Sequence, residues 1–232
     1  MALRRGEVSE LWCDRQRRDE RMEEIRRAAR ESGAPVHEIS GQELNLLLPG
    51  VRHQGVVGLL HPAREWSERE LRSLLEGLER PPFLLILDGV QDPHNLGACL
   101  RTADAAGVDA VIAPRDRAAG LTPAVRKVAC GAAQSLPFIR VTNLARTLRE
   151  LRKAGVWLVG AAGDSSQEIY QADLRGSLAL VMGAEGRGLR RLTREHCDLL
   201  VKIPMSGVVE SLNVSVAAAI CLYEALRQRR GS

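Results

Sequence analysis

Apolar positions follow two different rhythms along this chain. Up to about residue 60 they come in short, half-polar stretches. Residues 8–13 alternate loosely, as a strand with one wet face does, and 36–39 and 55–60 read as further strands. Between the first two, residues 16–31 form a charged helix with Met22, Ile25, Ala28 and Ala29 on one face. From Phe83 onward the runs are continuously apolar. Strands are predicted over 83–87, 110–113, 138–141, 156–160, 178–182 and 200–203, alternating with helices over 96–106, 122–133, 144–153, 189–197 and 212–229. Uninterrupted apolar strands separated by helices predict an α/β fold with a mostly parallel sheet covered on both faces.

The two rhythms meet in a charged stretch. From His61 to Pro82 the composition turns polar, Ser67-Glu68-Arg69-Glu70 has the form of a helix capping box, and Pro81-Pro82 closes the segment. The expected organisation is a small α/β unit over 1–62, a linker over 63–82 and a larger domain over 83–232. With 45% hydrophobic residues among 232, there is enough apolar material for both.

Charge changes the picture in the second part. The first 80 residues carry 14 arginines against 15 carboxylates, leaving 19 basic against 14 acidic residues for the rest. Only Lys127, Lys153 and Lys202 are lysines; the planar, bidentate arginine fork suits phosphate, although a GC-rich genome produces the same bias. With seven aromatics in all, a base-stacking platform for single strands is not expected. Any RNA would be held through its backbone. Cys13, Cys99, Cys130, Cys197 and Cys221 are odd in number and contain no Cys-x-x-Cys pair, which reads as reduced thiols in a cytoplasmic protein. No apolar signal core follows the N-terminus and no run approaches eighteen apolar residues, so neither secretion nor membrane spanning is expected.

Three polar interruptions fall where apolar runs turn toward helices, which is where open α/β sheets bind ligands. In Asp92-Pro93-His94-Asn95 the proline forces a turn, and Asn95 is a good N-cap for a helix starting at Leu96. Gly97 and Arg101 share a helical face, so the missing side chain at Gly97 leaves the Arg101 guanidinium room to reach back over the helix start. Gly183-Ala184-Glu185-Gly186-Arg187-Gly188 permits tight turns and close backbone approach to a ligand. It is neither a P-loop nor a dinucleotide fingerprint. Its Glu185 either orients a cation such as Arg101 or faces solvent. Ile203-Pro204-Met205 leaves the last strand, and Ser211-Leu212-Asn213 opens a helix apolar nearly all round, which must be buried against the sheet or a second subunit. Ser211 or Asn213 serves as its N-cap or as a polar pocket wall. The histidines, His94 among them, lack metal-ligand spacing, and no Ser-His-Asp or Cys-His set can be assembled, so metal-free group transfer is the class left.

Together, Asn95-x-Gly97-x-x-x-Arg101, Gly183-x-Glu185-Gly186-x-Gly188 and Ile203-Pro204-Met205 followed by Ser211-Leu212-Asn213-Val214-Ser215 resemble, in order over about 150 residues, the three motifs of the SpoU/TrmH branch of the SPOUT RNA 2′-O-methyltransferases. The stretches from Leu85 to Gly97 and from Leu192 to Asp198 look like the RlmB type, which methylates a guanosine of bacterial 23S rRNA. The resemblance implies S-adenosylmethionine as methyl donor, a C-terminal trefoil knot whose loops form the cofactor pocket, and a homodimer. It implies cofactor contacts from Gly183, Ile203, Met205 and Leu212, and places Asn95, Arg101, Glu185, Ser211 and Asn213 at catalytic positions. In the family account Arg101 activates the 2′-OH. A guanidinium is a poor base at neutral pH, so its expected task is to grip the adjacent phosphate and polarise the hydroxyl.

The first 62 residues resemble the RNA-capture domain of RlmB-type enzymes, most clearly at Arg52-His53-Gln54-Gly55-Val56. That domain usually begins with a helix and strand ahead of the position of Met1, so either the start is misassigned or the domain is N-terminally shortened. Three rivals stand beside this reading: the same chemistry on a tRNA guanosine, a non-catalytic RNA-binding dimer of the same fold, and a nucleotide-dependent oxidoreductase. The separate first domain favours rRNA, the intact Arg101, Glu185 and Asn213 speak against the second rival, and the missing fingerprint speaks against the third.

Overall fold

The computed structural model describes residues 2, 3, 6, 8–61 and 64–231, so Met1, Arg4 and Arg5 of the N-terminal stretch lie outside the described residues. The chain divides into two compact units, Met1–Pro62 and Ala63–Ser232.

In the first unit, β1 (Val8–Asp14) lies between β2 (Val36–Ile39), which it pairs in parallel, and β3 (Val56–Leu60), which it pairs antiparallel. Helix α1 (Glu20–Ser32) starts where the Asp19 side chain accepts the Met22 N–H and stops at Gly33, whose φ of 72° is left-handed. Its Met22 and Ala29 pack with Val8, Leu11 and Cys13, so the face expected from sequence is the buried one. A short α2 (Gly41–Leu47), absent from the sequence reading, is set by a Ser40/Glu43 capping box and buries only Leu44.

The second unit starts earlier than expected. In place of a linker over 63–82, β4 (Glu65–Trp66) joins the large sheet and α3 (Glu68–Glu76), capped reciprocally by Ser67 and Glu70, buries Leu71 against it. The driving force is apolar: Leu71, Leu74 and Leu75 share one face and leave water together. The sheet continues with β5 (Phe83–Asp88), β6 (Ala110–Pro114), β7 (Phe138–Val141), β8 (Trp157–Ala161), β9 (Leu178–Gly183) and β10 (Leu199–Val201) in the order β10-β8-β9-β5-β6-β7-β4. Every pairing is parallel. Phe83, Leu85 and Leu87 point into one core layer while Leu84 and Ile86 point into the other, which explains the unbroken apolar runs.

The first layer is filled by α4 (Pro93–Ala105), α5 (Pro123–Ala129), α6 (Ala132–Ser135) and α9 (Val214–Arg230); the second by α3 and α7 (Leu144–Lys153). The single helix expected over 122–133 is broken. Cys130 (φ 51°) and Gly131 (φ 95°) both turn left-handed, ending α5 and starting α6. Short α8 (Arg191–His196) precedes β10.

Candidate active site

The site is built at the carboxyl ends of β5, β8, β9 and β10. Helix α4 begins at Pro93 rather than Leu96, with Asp92 as its N-cap accepting the His94 N–H at 2.8 Å. Pro93, with φ already helical and no N–H to lose, suits the first turn. Asn95 is therefore not a cap. It sits inside the first turn, buried, with its side chain free for another task.

That task is a three-residue junction. Asn95 Nδ2 donates to Glu185 Oε1 at 2.9 Å, Asn213 Nδ2 donates to the same oxygen at 2.6 Å, and Asn213 Nδ2 also lies 2.9 Å from Asn95 Oδ1. The other end of the Asn213 amide caps α9, where Oδ1 accepts from Ser215 N–H at 2.9 Å and Ser215 Oγ at 2.6 Å. Of the two roles the sequence left open for it, Asn213 takes that of N-cap, and it adds a link to Glu185, which lines the cleft. Glu185 neither meets Arg101 nor simply faces solvent: its carboxylate ties the turn after β9 to the starts of α4 and α9. Cys99 lies below this junction. Burial, helped by the nearby Glu185 charge, pushes its thiol up to about 12, so it is a packing residue and not a nucleophile.

The turn itself is folded back. Ala184 and Gly188 exchange backbone hydrogen bonds at 2.9 and 3.1 Å, and a Cβ at Gly183 would collide with the Gly188 backbone. Beside it opens a cleft of about 430 Å³. Gly183, Ile203, Met205, Ser211 and Leu212 line it together with Glu185. The sequence reading missed Ala161, Ala162, Gly163 and Lys202 in the wall. A run of small residues directly after an apolar strand was the available signal for the first three. Ser211 makes no side-chain hydrogen bond among the described residues and does not cap α9.

Arg101 is not gathered into the junction. It is exposed on α4, is absent from the cleft wall and forms no ion pair or hydrogen bond with the described residues. Gly97 does not serve as its passage. A Cβ there would stand 2.7 Å from Val128 Cβ and 2.9 Å from the Val125 carbonyl oxygen, so the glycine exists to let α5 pack onto α4. His94 is exposed and does not line the cleft.

A parallel sheet with glycine-rich and small-residue loops at its carboxyl edge, opening on a cleft with the Glu185 carboxylate in its wall, is the ligand-site architecture of an α/β protein. The sequence profile of the SpoU rRNA Methylase family matches residues 82–223, and that of RNA 2′-O ribose methyltransferase substrate binding matches residues 1–66. The chain belongs to the SpoU rRNA methylase family. It is 57% identical to the 23S rRNA (guanosine-2′-O-)-methyltransferase RlmB of Pseudomonas putida over 96% of this chain and 90% of that protein. It is 54% identical to that of Escherichia coli over 95% and 90% respectively. Among solved structures it resembles the SpoU methyltransferase AviRb from Streptomyces viridochromogenes in complex with AdoMet, with a TM-score of 0.76 and 28% identity over 100% of this chain and 87% of that one.

Proposed function

We propose that this protein transfers a methyl group from S-adenosylmethionine to the ribose 2′-OH of a guanosine in bacterial 23S rRNA. The observation that carries this reading is the Asn95–Glu185–Asn213 junction at the rim of the cleft, which ties all three family motifs together in one place.

The cleft residues fit the cofactor. Ala161, Ala162, Gly163 and Gly183 leave backbone groups accessible at the strand ends, while Met182, Ile203, Met205 and Leu212 give apolar walls of the kind that hold a flat heterocycle. When bound, the cofactor supplies a methyl group already activated on a positively charged sulfur. The chain's share is then mainly positioning. Glu185, fixed by two amides, holds the turn after β9 in place, and Asn95 and Asn213 set the rim across which the ribose lies. Ser211 gives a free hydroxyl in the cleft wall. Arg101, exposed and unpaired, takes the phosphate beside the target ribose and polarises its hydroxyl.

The finer features follow the same reading. The first unit captures the RNA, the cytoplasm is the site of action, and the loops around the cleft form a trefoil crossing. The protein acts as a homodimer, for which Val216 and Tyr223, seven residues apart on α9 and 48% and 51% exposed, offer an apolar face. The reading is tested by incubating the protein with labelled S-adenosylmethionine and unmodified 23S rRNA or tRNA, and mapping product by resistance to alkaline cleavage. Modification of a single rRNA guanosine is expected. Transfer to tRNA alone, or to neither RNA, overturns it.

A further inference from the structure

Asp88 ends β5 with a side chain that has no solvent exposure, an unusual place for a carboxylate. Its Oδ2 accepts the backbone N–H of Arg190 at 2.9 Å. Its Oδ1 has no hydrogen-bond partner and faces Arg190 Nε at 3.4 Å. Asp88 is also the register partner of Gly183 on β9, so this carboxylate sits at the root of the turn that carries Glu185.

The arginine is placed with equal care. Its guanidinium lies against Gly89, where the φ of 86° favours glycine and a Cβ would stand 2.9 Å from Nη2. Yet the Arg190 side chain is 43% exposed and has no other acceptor among the described residues. Its Nε faces a buried charge while nearly half of the side chain is open to solvent. A guanidinium pre-oriented in this way loses little freedom when it meets a second anion, and its fork matches two oxygens of a phosphate.

We propose that Arg190 grips a phosphate of the RNA strand that carries the reacting ribose, and that Asp88 is the positioning residue that aims it. This rests on the methyltransferase reading and adds a contact that the three motifs do not contain. A purely structural pair would do something else: it would fix the turn and act on the cofactor cleft as a whole.

The two roles separate experimentally in Arg190→Ala, Arg190→Lys and Asp88→Asn, each assayed for KM toward 23S rRNA, kcat, S-adenosylmethionine affinity and the salt dependence of RNA binding. Arg190→Ala should raise KM for RNA about tenfold or more, as loss of one charge-assisted contact does. It should also lower the slope of log affinity against log salt by about one and leave cofactor affinity unchanged. Arg190→Lys should recover part of the loss, because the charge returns without the fork. Asp88→Asn, which keeps an acceptor for the Arg190 N–H, should fall between. If Arg190→Ala does not fold, Arg190→Gln replaces it, since a glutamine fills more of the space beside Asp88 and offers an uncharged donor without the guanidinium fork. An unchanged KM and salt slope, or a parallel loss of cofactor affinity, overturns the proposal. RNA binding needs no turnover, so the salt slope decides the role of Arg190 even if the wild-type protein methylates neither RNA.

Discussion

Asn213 does two jobs with one amide, and substitutions can separate them. Asn213→Ala removes the α9 cap and both hydrogen bonds that its Nδ2 donates to the junction, so stability should fall by about 1 kcal/mol and single-turnover methyl transfer by about a hundredfold, the scale of a modest misplacement. Asn213→Asp keeps an oxygen for the Ser215 N–H but sets a second carboxylate against Glu185. It should retain most of the stability and still lose activity. Equal loss in both measurements would mean the junction is only a cap. Gly97 makes a contrasting case. Gly97→Ala drives a methyl group into Val128 and the Val125 carbonyl, so thermal denaturation should show a loss of about 1–3 kcal/mol whatever happens to RNA. The roles of these residues were legible only in part. Local chain geometry makes Asn95 a cap and Gly97 a passage; the first gives way to Asp92, which caps α4 from three residues earlier, and the second to α5, distant in sequence.

At the scale of elements, strands β5 to β9 were legible because a strand buried on both faces leaves an unbroken apolar run, and all of them lie in the sheet interior. Elements that depend on few contacts were not. β4 is two residues long, and α2 exposes Leu46 and Leu47, so neither imprints a period on the sequence. The break between α5 and α6 came from a left-handed cysteine that no propensity foretells. Helix α9 was expected to be buried nearly all round, and its one buried carboxylate is informative. Glu224 is held below the ordinary carboxylate range by hydrogen bonds from Arg227 and Gln228 and by the Arg227 charge. Because its folded value is lowered, its contribution is present above the unfolded carboxylate value and is lost as pH falls through the folded one. The Tm gap between wild type and Glu224→Gln should therefore be open near neutral pH and close below about pH 4. A gap that widens in acid would contradict this assignment.

The whole molecule is put together from parts that lie far apart along the chain. β5 waits for β9, whose register partner for Phe83 is Leu178, and the junction joins Asn95 to Asn213. Pairings of such long separation form slowly, since much loop entropy is lost before contacts repay it. During synthesis the first unit can close as soon as β3 leaves the ribosome, because its strands lie within residues 8–60. The second cannot. Until α9 emerges, Val214, Ala218, Cys221, Leu222 and Ala225 are missing from their core layer, and the apolar faces of α4 and β9 remain open to water. Translation ended before residue 213 would release a chain with neither the Asn95–Glu185–Asn213 junction nor a closed core, a substrate for chaperones and proteases. Quality control is thus written into the order of the elements, because a chain that has α9 in place has also brought Asn213 to Asn95 and Glu185.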